Sequence, residues 1–64
     1  MNHMRKLRQA QKLSQQELAS KIKVDRSTVA KWETGMHFPR MNKLKQLTQI
    51  LKCSFEELFP NHIP

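Results

Sequence analysis

The 64-residue sequence predicts an all-α protein, a compact bundle of five short helices, and three observations lead there. Gln, Lys, Leu and Glu are abundant while Tyr is absent and Gly occurs once, a composition that favours helices over a sheet. Ser14-Gln15-Gln16-Glu17 and Ser54-Phe55-Glu56-Glu57 each set a hydroxyl three residues before a carboxylate, the reciprocal pairing that satisfies two free amides at a helix start. Apolar residues recur at helical spacing, most clearly at Leu44, Leu47, Ile50 and Leu51.

Met4 and Leu7 stand three apart among Arg5, Lys6, Arg8 and Lys12, with no acidic residue, so Met4 to Lys12 reads as a short basic helix. The second helix starts at Ser14, stapled by Leu13 and Leu18, and buries Leu18, Ala19 and Ile22. Lys23-Val24-Asp25 interrupts it, because Asp25 is a favoured N-cap residue and leads into Arg26-Ser27-Thr28 and the Val29/Trp32 pair. Two helices parted by about three residues make a helix-turn-helix geometry. Gly35 closes the third helix where positive φ is usual, and Pro39 biases Phe38 to an extended backbone. The fourth helix covers Met41 to Leu51, and a fifth begins at the Ser54 cap and ends at Pro60.

A chain of this length allows one domain, residues 1–64, with a radius of gyration of roughly 11 Å and about 60% of its unfolded surface buried, too little for a deep active-site cavity. The longest apolar run is two residues, whereas a spanning helix needs about 20 and a signal core about 7, so the expectation is a cytoplasmic protein. The single Cys53 cannot form a bridge within the chain, which fits a reducing compartment. Twelve Lys and Arg against five Asp and Glu give a formal charge of +7, attractive to nucleic acid or to acidic lipid headgroups. His3, His37, His62 and Cys53 lack metal-ligand spacing, and Ser14 and Ser54 serve as caps. No enzyme, metal, cofactor or small-molecule ligand is expected.

The pattern Leu13-Ser14-Gln15-x-Glu17-Leu18-Ala19, Val24, Ser27-Thr28-Val29, Trp32-Glu33-x-Gly35 and Pro39, followed by Leu44 to Leu58, resembles the Cro/C1-type helix-turn-helix family of phage repressors and Xre-like regulators. The likeness covers about residues 4–59, with the motif at 14–34. It implies a lambda-repressor-like DNA-binding fold whose recognition helix, residues 25–34, enters the major groove. By resemblance, Arg26, Ser27 and Lys31 reach base edges, while Gln15, Thr28, Arg40, Asn42 and Lys43 hold phosphates. Arg8 and Glu33 match the family's internal ion pair. Trp32 is expected in the core, since stacking platforms serve unpaired bases. Lys12 and Lys23 depart from the family, which often has glycine there; a left-handed lysine costs about 1 kcal/mol.

One short recognition helix reads few base pairs, so a homodimer on a palindromic operator in double-stranded DNA is expected, acting as a repressor at the nucleoid. The segment of about 53–64 is assigned to dimerisation: Phe55 and Leu58 to the core, and Phe59, His62 and Ile63 to the partner contact. The alternative is an antitoxin or anti-regulator working mainly through a protein partner, with DNA binding as autoregulation. A third reading is sequence-neutral binding to DNA or an anionic membrane through charge alone. Residues 1–12 carry +4 and 34–45 carry +3, whereas 46–64 carry −1, so charge separates a DNA-facing side from a partner-facing side.

Overall fold

A computed structural model describes residues 2–60. Five helices follow in order: α1 (Met4–Ala10), α2 (Gln15–Ile22), α3 (Arg26–Thr34), α4 (Met41–Leu51) and α5 (Phe55–Leu58). The Cα radius of gyration is 10.4 Å. Helices α2 and α3 pack most extensively against each other, with α1 on α3, α4 on α2 and α5 on α4. Met4, Leu18, Ala19, Ile22, Val29, Trp32, Leu44, Leu47, Leu51, Leu58 and Phe59 form one buried cluster.

The local chemistry of the sequence sets the helix starts. Ser14 and Ser54 each accept from the amide three residues on, and Glu17 and Glu57 each accept from the amide of their own cap residue, so both capping boxes are closed. Asp25 occupies the N-cap position of α3 in an extended conformation, yet its side chain makes no cap hydrogen bond. Asn2 precedes the N-cap residue of α1: its Oδ1 accepts from the Met4 amide at 3.0 Å while its Nδ2 donates to the Trp32 carbonyl at 2.8 Å. That residue therefore ties α1 to α3.

Four helix ends share one device. Lys12, Lys23, Gly35 and Lys52 are left-handed, with φ of 58°, 59°, 82° and 54°. In each case the next amide reaches back five residues: Leu13 to Arg8, Val24 to Ala19, Met36 to Lys31 and Cys53 to Thr48, at 2.9–3.2 Å. Helix α1 therefore stops at Ala10 rather than at the expected Lys12, because Lys12 must turn left-handed to bring Leu13 back onto the core. Leu13, Val24 and Cys53 all pack against the buried cluster, and each directly precedes the cap residue of the next helix. Met36 is the exception: it is 73% exposed and is followed by a loop instead of a helix.

Of the C-terminal aromatics, Phe59 departs from its expected place, while Phe55 packs against the core as expected. Phe59, expected to face a partner, is 6% exposed and belongs to the core, and Phe55, expected inside, is half-buried and packs against that core. The cause is the length of α5: one turn ends at Leu58, and the chain bends so that the Phe59 ring lies against Phe38, centroids 4.7 Å apart. His62 and Ile63, the other two residues expected at a partner contact, lie outside the described residues.

Candidate nucleic-acid interface

The outer side of α3 is built from its first two turns. Arg26, Ser27 and Lys31 are exposed, while Val29 and Trp32 turn inward. Alternation at helical spacing explains this: the residues that hold α3 to α2 also fix which way the remainder point. Thr28 is half-buried between the two faces.

Behind that surface lies a buried ion pair. Arg8 Nε donates to Glu33 Oε2 at 2.5 Å, Arg8 Nη2 to Glu33 Oε1 at 3.4 Å and Arg8 Nη1 to the Leu13 carbonyl at 2.7 Å. Their side chains are 9% and 5% exposed, so Arg8 is structural despite its charge. Gln15 Nε2 donates to Glu33 Oε1 at 3.0 Å, and Gln15 Oε1 accepts from Arg26 Nη1 at 3.3 Å. A relay thus runs from α1 through the end of α3 and the start of α2 to Arg26, the first residue of α3. One amide hydrogen of Gln15 is left for an anion.

Two basic concavities flank the start of α3. Arg5, Arg8, Ser14, Gln15, Gln16 and Arg26 line the first. The second, of about 260 Å³, is lined by Thr28, Lys31, His37, Arg40 and Lys43 over a floor of Trp32 and Phe38. Of the expected phosphate ligands, Gln15 falls in the first and Thr28, Arg40 and Lys43 in the second, where Lys31 joins them. Ser27 and Asn42 line neither; the Asn42 Oδ1 accepts from the Lys43 amide at 2.8 Å. Lys43 Nζ donates to the Ile22 carbonyl at 2.8 Å, a cation closing the C-terminal end of α2, and retains two hydrogens for another acceptor.

Arg5 and His37 were not singled out from the sequence as site residues. Only the fold, which brings α1 to the starts of α2 and α3 and the α3–α4 loop to α4, places them in the two concavities. Burial, and then the nearby Glu57, push the Cys53 thiol up, which keeps it protonated and unreactive. Among the described residues no group of three or more His, Cys, Asp and Glu side chains is placed to hold a metal ion, and no helix is long and apolar enough to cross a membrane.

A capped helix, a short left-handed turn and a second helix bearing outward polar residues between basic concavities define a helix-turn-helix domain of the lambda-repressor-like class. A family model described as helix-turn-helix matches residues 4–58, and the chain belongs to that family, the Cro/C1-type helix-turn-helix proteins. It is 33% identical over 55 residues to the HTH-type transcriptional activator BcrR of Enterococcus faecalis. That match covers 86% of this chain and 27% of the relative, so the chain spans about a quarter of that protein's length.

Proposed function

We propose that this chain is a sequence-specific reader of double-stranded DNA that regulates transcription, binding a two-fold symmetric operator as a homodimer. The observation that carries the reading is the exposed start of α3 between two basic concavities. Arg26, Ser27 and Lys31 would meet base edges in the major groove while Gln15, Thr28, Arg40, Asn42 and Lys43 hold phosphates on either side. Its place of work is then the cytoplasm, at the nucleoid.

Repression is the outcome we favour, by occlusion of a promoter. The relative is called an activator, and the same DNA-reading surface serves either sign, since the sign depends on where the site lies relative to the promoter.

For the homodimer, the support comes from exposed apolar surface. Met36, Phe38 and Met41 are 73%, 45% and 67% exposed, and Met41, Leu44, Lys45, Thr48 and Phe55 line an apolar groove beside them. Two bodies of +7 repel, and that cost is smallest along the side of the groove formed by Thr48 and Phe55, which belong to the −1 stretch of residues 46–64. Lys45 in the groove and Glu56 on α5 offer opposite charges to a second copy.

Selection of bound sites from a random duplex pool tests the reading. Enrichment of two half-sites about 34 Å apart is expected. If unselected duplex competes as well as the enriched sequence at fixed salt, specific regulation is excluded, and capture by charge alone takes its place.

A further inference from the structure

His37 lies in the α3–α4 loop, its backbone amide held by the Lys31 carbonyl at 3.2 Å, and the residue is exposed and lines the second basic concavity. The charged groups facing it there are Lys31 from α3, Arg40 from the loop and Lys43 from α4; among the described residues no carboxylate lines the concavity. Thr28 adds a hydroxyl, and Trp32 and Phe38 form the apolar floor. Three cationic side chains and a hydroxyl around one opening are the donor set of an anion site, and histidine is the one residue type among its lining that ordinarily exchanges a proton near neutral pH.

We propose that His37 is a phosphate-binding residue whose protonation is coupled to DNA binding, so that affinity for duplex rises as pH falls through the range where histidine titrates. The inference rests on the DNA-binding reading above and deepens it. Among the described residues, the concavity itself holds no negative charge for the ring to face. A backbone phosphate seated among Lys31, Arg40 and Lys43 supplies the missing negative charge. The ring then takes up a proton and donates a charge-assisted hydrogen bond to the phosphate oxygen. One additional cation meets the backbone at acid pH, and binding releases one more counterion. The contact carries no sequence information and strengthens every site alike.

Binding of the whole chain to a mixed-sequence duplex, followed by fluorescence anisotropy, tests this. Affinity is expected to be about fivefold higher at about pH 5.5 than at about pH 8, and the slope of log K against log salt steeper by about 0.9. His37→Gln removes both changes, His37→Arg gives tight binding across the range, and His3→Gln behaves as wild type. In a proton NMR titration of the ring, adding the duplex moves the His37 midpoint upward, a readout that needs no variant to fold. Wild-type protein that binds duplex with no pH dependence, or with one that survives in His37→Gln, overturns the role of His37 and leaves the proposed function standing. Wild-type protein that binds no duplex at either pH overturns both.

Discussion

Glu33 governs more than its own ion pair. Its carboxylate receives Arg8 from α1 and Gln15 from α2, and Gln15 in turn holds Arg26, so one buried acid orders the residue best suited to a guanine edge. Glu33→Ala strands a buried guanidinium, and we expect a loss of about 3–5 kcal/mol in urea unfolding. Arg26→Ala should leave stability unchanged, cost about 1–3 kcal/mol at one base position and relax selectivity there. Arg5→Ala should weaken binding to every duplex alike and flatten the salt dependence. Equal, sequence-independent losses from both arginine variants would remove the division of labour between them. The Arg8–Glu33 pair could be read from the sequence because the family resemblance carries it. Asn2, which bonds Trp32 thirty positions away, could not, since no local pattern distinguishes an amide reaching across the fold from one in solvent.

At the scale of elements, signals within four residues are legible and those across the fold are not. Both capping boxes, Gly35 and the bounds of α4 follow from neighbours in sequence. Lys52 shows the boundary of that rule: a lysine in a left-handed position carries no signature of its own, and it is identified only by the apolar residue and the cap that follow. The strain at such a site is measurable. Lys23→Gly should raise stability by about 0.5–1 kcal/mol, because relief of a left-handed cost of about 1–2 kcal/mol exceeds the entropic cost of glycine. The same change at Lys6, inside α1, should cost about 1 kcal/mol. The α2 capping box adds a pH dependence. Hydrogen bonds from the backbone amide and then the hydroxyl of Ser14 hold the Glu17 carboxyl below its ordinary value of 4.5. A lowered value in the folded state means the contribution is fully present above about pH 4.5 and disappears as pH falls through the lowered value. Protection of the Ser14 amide, measured against its intrinsic exchange rate, should fall in that acid window, whereas in a Ser14→Ala variant it is the Glu17 amide that loses protection already at neutral pH.

For the molecule as a whole, the sequence assigns the free apolar surface to the weakly acidic C-terminal segment, whereas the exposed apolar side chains lie within the basic stretch of residues 34–45. Phe59 is drawn inward because α5 is too short to hold it out, and the exposed apolar groups are instead Met36, Phe38 and Met41, in and beside a loop that helical periodicity does not describe. Met41→Lys tests the dimer directly, because Met41 is 67% exposed and its loss leaves the core intact. Wild-type chain should sediment as a dimer at tens of micromolar and the variant as a folded monomer that retains half-site binding and loses the added affinity of a full operator. A wild-type chain that remains monomeric on and off DNA rules the dimer out.

The three junctions Lys12-Leu13-Ser14, Lys23-Val24-Asp25 and Lys52-Cys53-Ser54 use one formula: a left-handed residue, an apolar residue returned to the core, and the cap of the next helix. Such a junction should behave as an interchangeable cassette. Its geometry is complete in three residues, so transplanting Lys12-Leu13-Ser14 into positions 23–25 should preserve the angle between α2 and α3 and with it the whole DNA-reading face. The turn at the centre of the motif is then a standard part, and the individuality of this protein as a reader lies in the side chains that the part leaves pointing outward.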